Sequence, residues 1–395
     1  MPLKTKKKIN TLPFHYYYIP FLFIACIGFF TSVYLTISHY RVHVDISYSS
    51  FCAITKSLNC DTVSSSPYAI FLNVPIAVWG VVGYSGIIFS LIMAAAVPSN
   101  KQRMWPVLFW ISLFFSISSL ILAWVSTYFI QSYCIMCILT YFVNFFLLYY
   151  SWFVNKRFGD SSLIKGVARD VSFLRYKKKV FFSVFAVFLI TSACLIIWMP
   201  RYWNVEFPPI SNSLHNGVTE DGHPWIGAEN PEVVIVEFSD YLCSQCRSKH
   251  SHLRKLIFEH SDRIRLIHRH FPMDHKINPI VKQPFHKGAA KLALLSIFAT
   301  QQDKFWKIND ILFNLPGNTE TVNIPNLLDK TGLKHNKISA IFKDKSVVDH
   351  LKKDILAGLK HGLTGTPGFV IDGKVYQGHI PPNILKRHGL SKNST

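Results

Sequence analysis

The feature that most constrains the fold is a series of long apolar stretches within the first 200 residues. A helix needs about 20 consecutive apolar residues to cross a bilayer. The stretches that meet this requirement cover residues 14–37, 75–97, 106–130, 133–154 and 180–199. A secretory signal peptide is the alternative for the first stretch, but the apolar core of a signal peptide is only about 7–15 residues long. We therefore predict five transmembrane helices.

The basic residues predict how these helices are oriented. The formal net charge is +20 at pH 7, and lysines and arginines concentrate at residues 1–13, 98–105 and 155–179. Because positively charged segments stay on the cytoplasmic side, these segments should face the cytoplasm and residues 201–395 the opposite side. The basic residues do not interleave with exposed aromatic residues, as they would on a nucleic-acid-binding surface, so we predict no nucleic-acid partner.

Six of the eight cysteines form three pairs, all on the predicted non-cytoplasmic side. The pairs are Cys52 with Cys60, Cys134 with Cys137, and Cys243 with Cys246. That side is the oxidising compartment, in which disulfides persist. Neither C-x-x-C pair is accompanied by a second pair or by a His-x-x-x-His motif, so we predict redox-active cysteines and no metal site.

Both C-x-x-C pairs stand where a helix is predicted to begin. Cys134 opens the fourth apolar stretch, whereas Cys243 lies between a predicted strand, residues 233–238, and a predicted helix, residues 247–259. The amide groups and the dipole of a helix N-terminus favour a thiolate, so Cys243 should attack and Cys246 should resolve. The alternative for this pair is a static structural disulfide.

The rest of the C-terminal half combines strand and helix patterns. Residues 263–268 predict a second strand, and residues 286–315 predict a helix. Residues 365–375 predict a strand, an Asp-Gly hairpin turn and a further strand. Residues 201–230 are rich in Pro, Gly and Asn and predict a linker with an entry strand, so we expect the domain itself to begin near residue 231.

Two positions near the second C-x-x-C pair have alternative interpretations. Glu237 lies on the predicted apolar strand and is either a solvated edge residue or an internal proton acceptor for the buried thiol. Pro367 precedes another predicted strand, and a cis peptide bond there would leave the backbone of Thr366 free to pair with a bound peptide. An ordinary trans proline in a turn is the alternative.

The C-terminal half, roughly residues 215–395, resembles the thioredoxin fold, and specifically bacterial periplasmic oxidoreductases of the DsbA type. The matching residues are Val236-Glu237-Phe238, Cys243-x-x-Cys246, Arg269-His270-Phe271-Pro272, Phe305-Trp306 and Gly365-Thr366-Pro367. The resemblance implies a helical insertion over residues 260–360, a buried acid at Glu237 and a cis proline at Pro367. Ser244-Gln245 replaces the Pro-His of the strong oxidants, which implies a weaker oxidant and leaves the isomerase direction open.

The N-terminal half, residues 14–154, resembles the vitamin K epoxide reductase family. The resemblance rests on Cys52-x7-Cys60, Ser66, Cys134-x-x-Cys137 and Thr140-Tyr141. It implies a four-helix bundle around a quinone, capped by a loop and by a short helix at residues 68–72.

The same resemblance assigns roles to individual residues. It makes Cys134 and Cys137 the pair beside the quinone, with Cys137 facing it, and Cys52 and Cys60 a shuttle pair. Ser66 and Tyr141 fall on positions associated with the quinone pocket. The alternatives are a helix N-cap for Ser66 and an aromatic residue at the membrane interface for Tyr141.

The predicted fold is therefore a membrane α-helical bundle, with a four-helix core plus a fifth transmembrane helix, followed by a soluble α/β thioredoxin-like domain. The predicted boundaries are a cytoplasmic basic N-terminus 1–13, a four-helix domain 14–154, a cytoplasmic linker 155–179, a fifth helix 180–200, a periplasmic linker 201–230 and a thioredoxin-like domain 231–395. The predicted location is the bacterial inner membrane, with the N-terminus in the cytoplasm and the thioredoxin-like domain in the periplasm.

The predicted function is quinone-dependent formation of protein disulfides. Electrons would pass from reduced unfolded or secreted proteins through the Cys243, Cys52 and Cys134 pairs to ubiquinone or menaquinone in the membrane. One alternative is a membrane-tethered disulfide reductase or isomerase, and another is a tethered chaperone whose cysteines are structural. A third alternative is vitamin K epoxide reduction itself.

Overall fold

The computed structural model of the chain describes residues 15–55, 57–95, 104–158, 163–164, 166–168, 178–204, 207, 214–315 and 341–390. The chain divides into two compact units. The helical unit comprises Met1–Ile37, Ala69–Phe129 and Tyr133–Pro200. The sheet unit comprises Ser38–Tyr68, Ile130–Ser132 and Arg201–Thr395. The predicted N-terminus 1–13 and most of the predicted linker 155–179 lie outside the described residues.

The helices and strands are numbered along the chain. The helices are α1 (His15–Val44), α2 (Cys60–Ser65), α3 (Ile76–Ala95), α4 (Trp105–Val125), α5 (Ile135–Phe158), α6 (Lys178–Trp198), α7 (Ser244–Glu259), α8 (Ala289–Thr300), α9 (Phe305–Phe313), α10 (Lys345–Lys360) and α11 (Pro382–Arg387). The strands are β1 (Ile70–Phe71), β2 (Val74–Pro75), β3 (Asn216–Val218), β4 (Pro224–Gly227), β5 (Val233–Ser239), β6 (Ile264–His270), β7 (Gly368–Ile371) and β8 (Lys374–Gln377).

Each of the five predicted apolar stretches contains a helix, namely α1, α3, α4, α5 and α6. Three helical stretches are long and apolar enough to cross a membrane, covering Tyr16–Val44, Trp105–Ile130 and Ile135–Arg157. The apolar parts of α3 and α6 within the described residues are shorter, so the count of five spans stays a prediction. Helix α1 continues past residue 37, where the predicted span ends, to Val44.

The core of the helical unit is aromatic and aliphatic, and one polar chain crosses it. Phe21 and Trp105 make an edge-to-face contact with ring centroids 5.3 Å apart. Tyr84 of α3 donates a hydrogen bond to Asn144 of α5 (2.6 Å), and Asn144 donates to Ser119 of α4 (2.9 Å). All three polar residues are buried. The chain therefore links three helices through hydrogen bonds that an apolar environment strengthens.

The predicted short helix at residues 68–72 is wrong. A single 3₁₀ turn covers Pro67–Ala69, and β1 then pairs with β2 in an antiparallel hairpin. Leu72 and Asn73 connect the two strands with φ values of 51° and 57°. Positive φ at both central residues is the requirement of a type I′ turn, and this turn geometry prevents a helix from continuing through residue 72.

The sheet unit contains a six-stranded sheet with the order β3-β4-β6-β5-β7-β8. Strands β5 and β6 are parallel, and the other neighbours are antiparallel. Residues 201–230 were predicted to be a linker with an entry strand, and the structure places two strands of the sheet there, β3 and β4. Ile226 of β4 is fully buried opposite Leu266 of β6, so the hydrophobic core includes this strand. The sheet therefore begins at residue 216 rather than after residue 231.

The predicted helix over residues 286–315 is two helices, α8 and α9. The chain leaves helical geometry between them, where Asp303 has a φ of 53°. The predicted helical insertion also includes residues 316–340, which lie outside the described residues. The hairpin predicted near the C-terminus is confirmed as β7 and β8, with positive φ at Asp372 and Gly373 in the turn.

Candidate active site

The second C-x-x-C pair lies at the point where β5 gives way to α7. Cys243 is the N-cap of α7, and its sulfur accepts a hydrogen bond from the backbone N–H of Cys246 (3.3 Å). The backbone N–H of Cys243 donates to the carbonyl of Asp240, which closes the turn between strand and helix (3.1 Å). Both cysteine side chains are buried. The strand–turn–Cys-x-x-Cys–helix arrangement predicted from the sequence is therefore present.

The turn before β7 lies against this cysteine pair. The Thr366–Pro367 peptide bond is cis, as predicted. The sulfur of Cys243 lies 3.5 Å from the carbonyl oxygen of Thr366, to which it donates. The hydrogen bond from Cys246, together with the nearby charge of His286, lowers the pKa of Cys243 despite its burial. Burial, in contrast, raises the pKa of Cys246.

A histidine from a distant part of the chain completes the surroundings of Cys243. His286 Nδ1 lies 2.8 Å from Asp240 Oδ2, and the same carboxylate oxygen accepts the backbone N–H of Met273 (2.6 Å). Burial would lower the pKa of His286, but Asp240 outweighs this effect and raises the pKa. His286 itself has a φ of 37°, an uncommon backbone conformation of the kind that clusters at functional sites. The sequence analysis missed this residue, because no motif links it to the cysteine pair.

Glu237 lies in the interior of the sheet unit, and the alternative of a solvated edge residue is wrong. Its side chain is fully buried, and Oε2 lies 2.6 Å from His250 Nδ1 and 3.4 Å from His268 Nδ1. Burial raises the pKa of the carboxyl group, but the two histidines outweigh this effect and lower the pKa to about 2. Glu237 is therefore a carboxylate at neutral pH.

The hydrogen bonds around Glu237 continue through α9. His250 Nε2 lies 2.8 Å from Asn309 Nδ2, and Asn309 Oδ1 accepts the hydroxyl of Tyr241 (3.0 Å). Because the amide nitrogen of Asn309 can only donate, Nε2 of His250 must accept and Nδ1 must carry the proton donated to Glu237. His250 follows Cys246 by one helical turn on α7, which places both on the same face of the helix.

The predicted shuttle pair forms a disulfide within a compact loop. Cys52 and Cys60 are bonded, with their Cα atoms 5.6 Å apart, and both are buried. A bridge between Ala53 and Asn59 closes the loop. Asn59 caps α2, since its side-chain oxygen accepts the backbone N–H groups of Asp61 (2.9 Å) and of Thr62 (3.0 Å).

The segment that carries the Cys52–Cys60 disulfide, residues 45–66, is called the shuttle loop below, and it packs on α7 of the sheet unit. Helix α2 contacts α7, and Gln245 Nε2 donates to Asn59 Oδ1 at 3.4 Å. Cys60 is the first residue of α2 and Cys243 is the N-cap of α7, so the two pairs lie at adjoining helix starts. Ser132, two residues before Cys134 in the sequence, donates to the carbonyl of Asn59 (3.4 Å).

In the helical unit, the first C-x-x-C pair has the same local geometry. Cys134 directly precedes α5, and its sulfur accepts the backbone N–H of Cys137 (3.1 Å). Cys134 is buried and Cys137 is half-buried. Tyr141 follows Cys137 by one turn of α5. Tyr141 therefore shares a helix face with Cys137, as a residue lining the same pocket would.

Ser66 ends a helix rather than beginning one. It is the C-cap of α2, and its hydroxyl donates to the carbonyl of Val63 (2.7 Å), so the N-cap alternative is wrong. Its predicted contact with a quinone remains a prediction, as does that of Tyr141. The buried Tyr84–Asn144–Ser119 chain was missed, although a polar residue such as Asn144 inside an apolar span is a recognised signal of function.

The helical unit also has an apolar groove of about 680 Å³, lined by Val107, Trp110, Ile111, Phe114, Ile164, Val167 and Ala168. Its α4 residues belong to the first turns of that helix, whereas Cys134 follows the far end. At 1.5 Å per residue, the separation along the helix is roughly 25–35 Å. This groove is therefore not the predicted quinone pocket.

Two groups of side chains in the described residues have the composition of metal ligands. They are Glu237 with His250 and His268, and His223 with His350 and Asp354. In the second group, His223 Nε2 lies 2.8 Å from Asp354 Oδ1, and the guanidinium of Arg269 lies 3.8 Å from the same oxygen. In each group the carboxylate therefore already has a histidine partner from the chain itself.

Comparisons with known proteins match two separate regions of the chain. Residues 19–152 match the model of the vitamin K epoxide reductase family, and residues 219–388 match a thioredoxin family model. The chain thus joins a domain of the vitamin K epoxide reductase family to a thioredoxin-like domain.

The individual proteins named here are at most 25% identical to the chain over the matched residues. The chain is 25% identical to the disulfide bond formation protein D of Bacillus subtilis, over 42% of this chain and 74% of that protein. It is 23% identical to the Na⁺/H⁺ antiporter NhaA 3 of Salinispora tropica, over 40% of this chain but only 22% of that protein. Because the match spans less than a quarter of that antiporter, its name is no evidence for the activity of this chain. A thioredoxin-like oxidoreductase from Silicibacter pomeroyi has a similar structure, with 21% identity, a TM-score of 0.36 and coverage of 43% of this chain and 91% of that one.

Proposed function

We propose that the chain oxidises protein dithiols and passes the electrons through its three cysteine pairs to a membrane quinone. The observation that carries this proposal is the packing of the shuttle loop on α7, which brings the starts of α2 and α7 together. Each helix start bears a cysteine, Cys60 on α2 and Cys243 on α7. Thiol–disulfide exchange requires direct contact between sulfur atoms, and this packing supplies the contact surface.

The first step is oxidation of a substrate protein. A substrate thiolate attacks Cys243 of the Cys243–Cys246 disulfide, and Cys246 leaves as a thiolate that takes up a proton. A second substrate thiolate then attacks the mixed disulfide, so the substrate gains a disulfide and the pair becomes a dithiol. The carbonyl of Thr366 next to Cys243 lies where the backbone of an extended substrate can pair with it.

The second step returns the dithiol to the disulfide form. The Cys243 thiolate attacks Cys60, and Cys52 leaves as a thiolate. Cys246 then loses its proton and attacks Cys243, which releases Cys60. The proton of Cys246 needs an acceptor in a buried site, and we assign this role to the buried carboxylate of Glu237.

The third step moves electrons into the membrane. Cys52 attacks Cys134 of the oxidised membrane pair, Cys60 resolves, and Cys137 is released as a thiolate. Oxidation of the Cys134 and Cys137 thiols back to a disulfide releases two electrons and two protons, which a quinone held beside Cys137 would accept. The residues near Cys137 on α5 fit such a group, because Tyr141 follows one turn later on the same face and the helix is mostly apolar.

The location follows from the same proposal. Five spans place the N-terminus in the cytoplasm of a bacterial cell and all three cysteine pairs on the periplasmic side of the inner membrane. Reduced unfolded or secreted proteins are then the substrates, and ubiquinone or menaquinone is the acceptor. Tethering of the thioredoxin-like domain to the bundle raises the effective concentration of the two partners to about the millimolar range.

The test is quinone reduction by the purified full chain in detergent, with a reduced unfolded protein as donor. Cys137→Ala should abolish the reaction with every donor, and Cys243→Ala should abolish it for protein donors but not for small dithiols. Cys26→Ala, which changes a cysteine of α1 outside the three pairs, is the matched control and should keep the wild-type rate.

Two outcomes would overturn the proposal. Quinone reduction that survives Cys137→Ala would show that the membrane pair does not serve the quinone. An absence of quinone reduction, combined with reshuffling of non-native disulfides, would favour the reductase or isomerase alternative, which the Ser244-Gln245 dipeptide permits.

A further inference from the structure

Lys249 is a buried lysine whose charge is directed at the chain segment that leads to the shuttle disulfide. It lies on α7, and its side chain is 4% exposed. Its Nζ donates hydrogen bonds to the carbonyls of Asp45 (3.1 Å), Ile46 (3.0 Å) and Tyr48 (3.2 Å). An ammonium group has three donors, so all of its hydrogen-bonding capacity goes to this segment.

Two neighbours of Lys249 on α7 bind the same segment in the same way. His252 Nε2 lies 2.8 Å from the carbonyl of His43, and the hydroxyl of Ser248 lies 3.5 Å from the carbonyl of Val42. Val42 and His43 belong to the last turn of α1, whose carbonyls have no partner within the helix. The negative end of the helix dipole also favours a cation there. Helix α7 thus caps the C-terminus of α1.

The charges of the two surfaces are complementary. Asp45 and Asp61 belong to the segment that carries the shuttle disulfide, and their carboxylates stabilise the charged form of Lys249. Burial nevertheless lowers the pKa of Lys249 to about 8, so the side chain is still cationic at neutral pH. A buried charge is costly unless it is paired and hydrogen-bonded, and here the partners come from the docked segment.

The contacts hold the disulfide loop on both sides. Lys249 binds residues 45–48, which precede Cys52, and Gln245 binds Asn59, which precedes Cys60. We propose that Lys249 is a positioning residue that docks residues 45–66 on α7 and thereby sets the rate of exchange between Cys243 and Cys60. This inference rests on the proposed function, and it adds the residue that holds residues 45–66 in place for exchange with Cys243.

The chemistry explains why docking should control this step alone. When Cys243 attacks Cys60, the new S–S bond forms as the Cys52–Cys60 bond breaks, and the sulfur atoms must be aligned. Alignment within a docked complex contributes a large share of the rate of such a reaction. A substrate protein brings its own thiol and does not use the hydrogen bonds of Lys249 to residues 45–48.

The test traps the intermediate in the full chain. In a Cys246→Ala background, the Cys243–Cys60 mixed disulfide cannot be resolved by Cys246, and its yield in a glutathione buffer is measured by alkylation and peptide mass spectrometry. Lys249→Met, which keeps the length of the side chain but removes its three donors, should lower the ratio of linked to unlinked chain at least about tenfold. Lys255→Met, on an exposed position of the same helix, should leave it unchanged.

A second measurement separates docking from a general structural role. This measurement uses a full chain with Cys52→Ala and Cys60→Ala. With the further change Lys249→Met, that chain should oxidise a reduced peptide through Cys243–Cys246 at the same rate as the chain that keeps Lys249. A lower rate would mean that Lys249 supports the fold of the redox site, and the inference would be wrong. An unchanged yield of the Cys243–Cys60 link in Lys249→Met would also overturn it, with the relay intact. If the link fails to form even with Lys249 present, the proposed relay itself fails.

Discussion

The two C-x-x-C pairs of this chain have the same local structure in different surroundings. In each, the first cysteine directly precedes a helix and its sulfur accepts the N–H of the second, at 3.1 Å for Cys137 and 3.3 Å for Cys246. The helix start therefore activates both pairs in the same way. What differs is the rest of the site, which the tertiary structure supplies separately for each pair.

The soluble pair is surrounded by polar and titratable groups. Asp240 and His286 flank Cys243, and Glu237 with His250 and His268 lies beneath Cys246. The membrane pair opens an apolar helix, and the hydroxyls of Thr140 and Tyr141 follow it within one turn. The two pairs therefore have a similar helix start but differ in the polarity of the side chains around them.

Loss of Cys60 should have the largest effect, because Cys60 belongs to the pair that is proposed to connect the two sites. If the two C-x-x-C pairs cannot react with each other directly, electrons should not pass from one to the other without Cys60. We expect Cys60→Ala to reduce quinone reduction by protein donors to the rate without enzyme, whereas Cys194→Ala, in α6, should have no effect. Stopped-flow detection of quinol formation measures both. Activity in Cys60→Ala would show that the two pairs react directly.

The buried acid is the clearest difference between the two sites, and its removal should have a large effect on stability. Glu237→Leu leaves His250 and His268 in the interior without an anion. The buried Nδ1–H of His250 then has no acceptor, and an unsatisfied buried donor costs about 1–3 kcal/mol, so we expect a loss of that size in the free energy of unfolding of the sheet unit. Urea unfolding monitored by pulse proteolysis measures it. Glu232→Gln, at an exposed ion pair with Arg263 just before β5, should cause no measurable change.

Acid should destabilise the sheet unit through the same buried groups. Burial lowers the pKa of His268 and of His270, and it lowers the pKa of His252 to about 4. The unfolded chain binds these protons below pH 6.5 and the folded chain does not, so the free energy of unfolding falls as the pH falls. Glu237 acts in the same direction, because its stabilising effect is present above its ordinary pKa and is lost towards pH 2.

The expected loss from His252 alone is roughly 3 kcal/mol between pH 7 and pH 4. Urea titrations at intervals of half a pH unit should show it as a shift of the midpoint. His252→Gln, which can still donate to the carbonyl of His43, should make the pH dependence weaker. A midpoint that does not change between pH 7 and pH 5 would contradict the assignment of these histidines as neutral and buried.

The smallest expected effect concerns the reactivity of Cys243. His286→Ala removes the positive charge that lowers the pKa of Cys243, so less thiolate should be present at pH 6 and alkylation by iodoacetamide should slow several-fold. His275→Ala, which changes a half-buried histidine of the same connection, is the matched control. Equal alkylation rates in the two variants would show that the helix start alone sets the reactivity of Cys243.

The local pattern of the sequence was sufficient for the elements that carry the cysteines. Apolar stretches predicted α1, α3, α4, α5 and α6, and the alternation around Cys243 predicted β5 and α7. Helical hydrogen bonds and apolar periodicity are local properties, so they can be read from neighbouring residues. Errors occurred where a turn decided the outcome, as at Leu72 and Asn73 or at Asp303, because positive φ at a non-glycine residue has only a weak sequence signal.

The sequence by itself was enough to predict three cysteine pairs, the side of the membrane on which they lie and the two kinds of domain that carry them. Only the tertiary structure decided what surrounds each pair. His286 reaches Asp240 across 46 residues, and Lys249 reaches Tyr48 across 201. Contacts of this kind leave no fixed spacing in the sequence, because they depend on how β5, α7 and the shuttle loop pack. The same short motif therefore becomes two different sites, and packing rather than spacing makes the difference.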